Sequence, residues 1–189
     1  MPSIESDFLE KLHCNYKDYT NFIETGTYHG ETIFYFEPFF QKLYTIEIKQ
    51  ELYEETKNSY QGDKIQFYHG DSSQVLNHLL PEINGKSIIF LDGHWSCDDT
   101  GRGTVDCPLY NELYSIMNHH SHECVIIIDD VRLFGKGPNK TGEQYDLCNW
   151  EGINKETVFK IVKERFTNIY LLPSSHGEKD RMIIHLEKI

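Results

Sequence analysis

Two continuous apolar runs constrain the fold of this chain most strongly. They are Ser87–Leu91 and Cys124–Ile128, and neither alternates apolar with polar residues. A strand of this composition is buried on both faces, as in a parallel sheet covered by helices on both sides. The segment between the runs, Pro108 to Asn118, has apolar residues at helical spacing. The pattern therefore predicts a strand, a crossover helix and a second strand of an α/β protein.

The same alternation of strand and helix continues towards the amino terminus. A leader helix is predicted from Ile4 to His13, within residues 1–18. Three strand and helix pairs follow: Asn21 to Thr25 with Gly30 to Phe40, Lys42 to Ile48 with Gln50 to Tyr60, and Lys64 to Gly70 with Ser72 to Leu80. Parallel strands joined by helices take right-handed crossovers, so the sequence predicts a doubly wound α/β sheet.

The carboxyl-terminal part departs from this rhythm. After a helix from Lys155 to Arg165, two strand-like runs, Asn168 to Leu172 and Arg181 to Leu186, are separated only by a turn-rich segment, Pro173 to Asp180. That segment is too short for a helix, so the two strands must be antiparallel. A mostly parallel, seven-stranded sheet that ends in an antiparallel hairpin resembles the Rossmann-like methyltransferase fold more than the dinucleotide-binding fold. A chain of 189 residues is expected to form one domain, spanning residues 1–189.

The net charge and the spacing of the cysteines indicate which binding partners and which cellular compartment to expect. The chain has 30 acidic and 18 basic residues and a net charge of −12, which repels phosphate backbones and anionic lipid at long range. The apolar runs are too short to cross a bilayer, and the amino terminus lacks the pattern of a secretory signal. The five cysteines are scattered without C-x-x-C spacing, which favours reduced thiols. We expect a cytoplasmic protein that binds neither nucleic acid nor membrane; the oligomeric state stays open, a dimer included.

The segment from Phe22 to Gly30 is the first candidate binding loop. A strand, a glycine turn and a helix in this order place backbone N–H groups at the crevice where open α/β sheets bind ligands. Gly26 allows the sharp turn, and Gly30 allows close packing of helix on strand. Glu24 at the strand end would repel a pyrophosphate but suits the ammonium group of a methionine moiety. The loop therefore favours S-adenosylmethionine over a nicotinamide dinucleotide as cofactor.

Acidic residues also close the next two predicted strands. Glu47 follows Gly26 by 21 residues, the offset at which an acid accepts the hydroxyls of a ribose. Asp71 ends the third strand, with Ser72 and Ser73 opening a helix, so its carboxylate can accept from an adenine amino group. The alternatives are a solvated strand end for Glu47 and helix capping for Asp71. Acids at three consecutive strand ends favour an adenosine-sized site.

With these residues the chain resembles class I S-adenosylmethionine-dependent methyltransferases from about Tyr19 onward. It departs from their common glycine-rich loop at Thr27 and His29, where glycines often occur. The predicted cofactor-binding residues are Glu24, Thr25, Gly26, Thr27, Gly30, Glu31, Thr32, Glu47, Asp71, Ser72, Ser73 and Asp92.

Three aspartates follow the fourth and fifth predicted strands. Asp92 ends the fourth strand, and Asp129 and Asp130 end the fifth. Both strand ends lie on the edge of the cofactor crevice, and an oxygen-rich site suits a hard divalent ion. The pairing resembles cation-dependent O-methyltransferases of catechols and of macrolide sugars. The resemblance implies that Asp92, Asp129 and Asp130 hold Mg²⁺ or Mn²⁺, which would lower the pKa of a substrate hydroxyl. Alternatively, Asp129 and Asp130 cap a turn with one acid paired to Arg132, or Asp92 positions the methionine ammonium without a metal.

His94 is the candidate general base, because an imidazole titrates near working pH. It follows Asp92 by two residues, and both are predicted catalytic residues. The alternative is a histidine that only hydrogen-bonds backbone or ligand. Two long polar loops, residues 97–107 and 134–152, leave the same edge and are predicted either as a lid or substrate platform or as solvated connectors.

These residues together predict an O-methyltransferase whose acceptor is a hydroxylated small molecule or a glycan, a sugar hydroxyl ahead of a phenol. Trp95, Tyr145 and Trp150 are expected to stack on the acceptor. A nicotinamide-dependent oxidoreductase and a non-catalytic module that only binds the cofactor are the alternative interpretations.

Overall fold

The computed structural model describes residues 2–97, 99–139 and 147–189, and these residues form one seven-stranded sheet. Its strands are β1 (Asn21–Thr25), β2 (Lys42–Glu47), β3 (Ile65–His69), β4 (Ser87–Leu91), β5 (Cys124–Ile128), β6 (Phe166–Ser174) and β7 (Gly177–Leu186). The α-helices are α1 (Ser6–Leu9), α2 (Glu31–Phe36), α3 (Gln50–Ser59), α4 (Ser72–Leu79), α5 (Leu109–His119) and α6 (Lys155–Val162). None of the helices in these three ranges has the length and hydropathy that a transmembrane span needs.

The strand order is β3-β2-β1-β4-β5-β7-β6. The strands β1 to β5 pair in parallel, whereas β7 pairs antiparallel with both β5 and β6. The predicted fold class, a doubly wound and mostly parallel sheet that ends in an antiparallel hairpin, is confirmed. The order reverses between β1 and β4, and open α/β sheets bind ligands at such a reversal, outside the carboxyl ends of the strands.

Both faces of the sheet carry a hydrophobic core, which explains the continuous apolar runs. In β5, Ile126 and Ile128 belong to one core, while Val125 and Ile127 belong to the other. All four side chains are at most 1% exposed. Successive residues of a strand point to opposite faces, so a strand covered on both sides is apolar along most of its length.

Three predicted helices are shorter than their patterns indicated, among them α6, which ends at Val162 where Arg165 was predicted. The leader helix ends at Leu9 because the next backbone bonds join residues three apart, as from Leu12 N to Leu9 O. Helix α2 ends at Phe36 and a 3-10 turn follows, because Pro38 has no N–H to donate.

The terminal hairpin is longer than predicted. Ser174 pairs with Gly177, so only Ser175 and His176 connect the strands, where a connection over residues 173–180 was predicted. Strand β6 lies at the edge of the sheet and its register shifts between Leu172 and Ser174. A proline is tolerated at an edge and at such a shift, so Pro173 does not interrupt the strand.

Candidate functional site

A cleft with about 1070 Å³ of empty space, its open mouth included, lies at the carboxyl ends of β1 to β4. Nine predicted cofactor-binding residues line it: Glu24, Gly26, Thr27, Glu31, Thr32, Glu47, Asp71, Ser72 and Asp92. Three predicted residues do not. The Thr25 side chain is fully buried, Gly30 packs against the Phe34 ring, and the Ser73 hydroxyl donates to Asp71 at 2.6 Å.

Gly26 shapes the inner wall of this cleft. Its φ of +83° lies in the left-handed region that favours glycine, and a Cβ at this position would lie 2.4 Å from the carbonyl oxygen of Asp92. The loop after β1 and the end of β4 therefore touch through backbone atoms, which only a glycine permits.

Glu24 is a buried carboxylate without internal compensation. It is 1% exposed, and its Oε2 has no hydrogen-bond partner among the described residues. Burial raises the pKa of Glu24 well above its usual value, and the charges of Asp92 and Glu47 raise it further. A cation placed beside this side chain would stabilise its ionised form, so this end of the cleft suits an ammonium group.

Glu47 and Asp71 hold the backbone of the cleft. Glu47 accepts from the backbone N–H of Tyr28 and of Lys49, both at 2.9 Å. Asp71 caps α4, since its Oδ1 accepts from the Ser73 N–H at 3.0 Å. The capping interpretation of Asp71 is thus confirmed, and both carboxylates still face the cleft, where each oxygen has a further lone pair to offer.

The loop after β4 covers part of the cleft. A Cβ on Gly101 would lie 2.3 Å from Cγ2 of Ile48, so the loop backbone lies directly on this side chain. Lys49 forms an ion pair with Asp99 and attaches the loop to the end of β2. Residues 96, 100, 101, 103 and 105 line the cleft, as a lid or wall would.

His94 lies between two aspartates. Its Nδ1 is 3.6 Å from Asp92 Oδ1, and its Nε2 is 3.1 Å from Asp130 Oδ2. Burial on its own lowers the pKa of His94, but the hydrogen bond to Asp130 and the carboxylate charges outweigh it and the pKa is raised. Burial raises the pKa of Asp92 to about 7, although His94 opposes this and the Ser3 hydroxyl donates to it at 3.3 Å. The arrangement can accept a proton on the imidazole and stabilise the resulting cation.

The prediction that Asp92, Asp129 and Asp130 converge as one ligand set is wrong for Asp129. Within the described part of the chain, the ligand atoms of Asp92, His94 and Asp130 lie within 4.8 Å of one another, whereas Asp129 groups with Asp130 and Asp180. The reason is a buried ion pair: Arg181 Nε lies 3.1 Å from Asp129 Oδ1.

Asp130 is also paired with a cationic side chain of the protein, since it forms an ion pair with Arg132. The alternative interpretation, in which one acid of this pair is held by Arg132, is therefore confirmed. Asp130 has a φ of +59°, and this left-handed conformation is uncommon for a residue other than glycine. Arg132 is held in turn by Asp180 at 2.6 Å.

The aromatic residues expected to stack on an acceptor have different positions. Trp95 lines the cleft, and the guanidinium of Arg102 covers its ring at 4.0 Å. Trp150 is 2% exposed and packs against Phe134 in the core, so it offers no face to an acceptor. Tyr145 lies outside the described residues.

Comparison with protein-family models finds no match, and comparison with curated proteins finds none either. Solved structures do match. An S-adenosylmethionine-dependent methyltransferase from Clostridium acetobutylicum ATCC 824 is 13% identical, with 97% of each chain covered and a TM-score of 0.52. The N-methyltransferase NodS from Bradyrhizobium japonicum WM9 is 11% identical, with 89% of this chain and 85% of its own covered and a TM-score of 0.53. The mitomycin 7-O-methyltransferase MmcR is 12% identical, with 93% of this chain and 51% of its own covered and a TM-score of 0.56.

The chain has the methyltransferase fold. At these identities the likeness shows the fold alone, so the chemistry of the cleft has to be argued from its own residues.

Within this methyltransferase fold, sequence reasoning missed part of the cleft wall. The lining residues that were not predicted include Ser3, Tyr28, Ile48 and Leu52. Ile48 and Leu52 could have been found, since both follow Glu47 closely and a purine needs apolar neighbours. Ser3 carries no local signal, because only the folding of the chain brings it to Asp92.

Proposed function

We propose that this protein is an S-adenosylmethionine-dependent methyltransferase. The observation that carries the proposal is Glu24, a buried carboxylate at the point where the strand order reverses, with one oxygen that has no partner in the described part of the chain. A pyrophosphate would be repelled at this position, whereas the ammonium group of a methionine moiety would compensate the buried charge. This contrast disfavours the nicotinamide-dependent alternative.

The other acids of the cleft fit the rest of the cofactor. Glu47 would accept the ribose hydroxyls, and Asp71 and Ser72 would contact the adenine, with Ile48 and Leu52 supplying apolar surface. When bound, the cofactor supplies a methyl group activated by an adjacent positive sulfur. The residues then contribute mainly by positioning, which accounts for much of the rate in such displacements.

We further propose that the acceptor atom is a hydroxyl oxygen, on a sugar ahead of a phenol, in a free or glycan-linked polyhydroxylated molecule. His94 would take the hydroxyl proton at Nδ1, the nitrogen that faces Asp92. Asp130 would stabilise the imidazolium through Nε2. Trp95 lines the cleft and would contact the acceptor with the part of its ring that Arg102 does not cover.

Assistance by Mg²⁺ or Mn²⁺ is a second form of this proposal. Its support is the group of Asp92, His94 and Asp130, which offers two carboxylates and an imidazole. Arg181 and Arg132 weigh against it, because they already neutralise Asp129 and Asp130. Methyl transfer measured with chelator and with added ion separates the two forms, since full activity in chelator excludes the ion.

Calorimetric titration with S-adenosylhomocysteine and with NAD tests the main proposal. We expect binding of S-adenosylhomocysteine with a Kd in the micromolar range and no binding of NAD. Binding of NAD alone would refute the proposal. Binding of S-adenosylhomocysteine without methyl transfer to any glycan, phenol or amine would favour the non-catalytic module. A screen with labelled methyl groups on these three acceptor classes tests the hydroxyl assignment.

A further inference from the structure

We propose that Glu112 is a positioning residue for the adenosine end of the cofactor, acting from behind the cleft through Ser72. This inference rests on the proposed function. Glu112 is not among the residues that line the large cleft, and the chemistry described above does not use it.

Glu112 is a buried acid that contacts the start of α4. It lies on α5 and is 2% exposed. Its Oε1 accepts a hydrogen bond of 2.6 Å from the Ser72 hydroxyl, and Ser72 itself lines the cleft. A bond from a hydroxyl to a buried carboxylate is short and strong. The rotamer of Ser72 is therefore set from the side that faces away from the cofactor.

A second contact from the same helix supports this role. One turn after Glu112, the Ser115 hydroxyl lies 3.1 Å from the carbonyl oxygen of Ser73 and 2.9 Å from that of Asn111, and it shares its proton between the two. Helix α5 thus holds two consecutive residues at the start of α4, while Asp71 caps the same turn from the cleft side. The negative charge of Glu112 also lies at the positive end of the α4 dipole, which stabilises it there.

Glu112 also lies against two other strand ends of the cleft. A Cβ on Gly93 would lie 3.2 Å from Glu112 Oε1 and 3.0 Å from Thr25 Oγ1. Thr25 ends β1, and Gly93 follows Asp92 after β4. Glu112 therefore lies between the start of α4 and Gly93, in the loop that carries the proposed base, and Gly93 lies in turn against Thr25 at the end of β1. Displacement of the Glu112 carboxylate is expected to shift the adenosine turn relative to these two strand ends.

The experiment compares adenosine and S-adenosylhomocysteine as ligands of the whole protein and of Glu112→Gln. Adenosine lacks the amino acid group. Glu24→Gln should therefore weaken the binding of S-adenosylhomocysteine and leave the binding of adenosine unchanged. Glu112→Gln should weaken the binding of both ligands about tenfold, because a neutral hydrogen bond to Ser72 replaces a stronger, charge-assisted one. Glu82→Gln is the matched control and should bind as the original protein does. It changes an exposed acid that precedes β4, at the opposite ends of the strands from the cleft.

A second variant and a double mutant keep the test decisive. If Glu112→Gln does not fold, Glu112→Asp retains the charge but is too short to reach Ser72, and it should weaken both ligands similarly. Removal of the Ser72 hydroxyl by Ser72→Ala should cost less affinity in Glu112→Gln than in the original protein, since both changes weaken the same hydrogen bond. Unchanged adenosine affinity in a folded Glu112 variant, or strictly additive effects, would overturn the inference. Failure of the original protein to bind S-adenosylhomocysteine would instead refute the proposed function.

Discussion

Replacement of Glu24 by glutamine separates the stability of the protein from its affinity for the cofactor. The change keeps the size of the side chain and removes its charge. Glu24 is 1% exposed, with one oxygen lacking a partner among the described residues, so its ionised form destabilises the folded protein. The same ionised form is the proposed partner of the cofactor ammonium. The variant should therefore gain stability without ligand and lose affinity for ligand.

The two effects have opposite signs and similar sizes. An unsatisfied buried polar group costs about 1–3 kcal/mol, and a buried amide retains part of that cost, so we expect a gain of about 1 kcal/mol. In a protein of this size that gain raises Tm by about 2–4 °C. Loss of a charge-assisted hydrogen bond costs about 1.5–3 kcal/mol, which corresponds to a roughly 10- to 100-fold higher Kd for S-adenosylhomocysteine.

The pH dependence of binding provides a further check on Glu24. Its pKa is raised in the folded protein, so the unfolded state loses this proton first as pH rises. The stability that protonated Glu24 contributes is thus present below its unfolded pKa and is lost as pH rises through its folded pKa. Binding of the ammonium group should strengthen over the same interval, because it requires the ionised form.

Calorimetry across this pH range, with unfolding followed by circular dichroism, measures both quantities. Glu24→Gln should abolish the part of the pH slope that Glu24 contributes, while Glu82→Gln retains it. A Glu24→Gln protein that binds S-adenosylhomocysteine as tightly as the original would refute the placement of the methionine end.

Three further substitutions test other parts of the site. His94→Asn should lower methyl transfer by about 10²- to 10⁴-fold and leave the Kd of S-adenosylhomocysteine within a few-fold; an equal loss of binding would remove the general-base role. Arg181→Met leaves its buried partner carboxylate uncompensated and should cost about 3–5 kcal/mol in urea unfolding, so an unchanged midpoint would contradict the ion pair. Gly101→Ala places a Cβ 2.3 Å from Ile48 and should weaken cofactor binding by displacing the loop, whereas Gly152→Ala, with no atom within 4 Å, should bind normally.

The parts of the fold that follow from local burial could be predicted from the sequence. The bounds of β1, β4 and β5 agree with the predictions. In β4 and β5 the reason is that a strand covered on both faces is mostly apolar, and β1 ends at the glycine turn of Gly26. The edge of the sheet lacks this constraint. Strand β6 tolerates Pro173 and an irregular register, so its sequence resembles a turn although the chain is extended there.

The internal partners of the site residues could not be predicted in the same way. The guanidinium of Arg181 donates both to the Ser3 carbonyl oxygen, at 2.6 Å, and to Asp129. These contacts join the two ends of the chain across the sheet, and no spacing along the sequence encodes them. The aspartates that follow β5 look equivalent by position. Arg132 could be proposed from the sequence as the partner of one of them, but only the fold shows that Asp129 is paired with Arg181.

The distribution of these cations favours one use of the cleft over another. Asp129 and Asp130 are neutralised by Arg181 and Arg132, so a divalent ion at the end of β5 would have to compete with groups that are already bound. Glu24 is in the opposite state, because the charges nearest to it are other carboxylates and no described residue donates to its Oε2. A cation supplied by a ligand is therefore stabilised most by the carboxylate at the end of β1. The acids of this edge thus favour the methionine ammonium at Glu24 and leave the carboxylates after β5 to support His94 through Asp130.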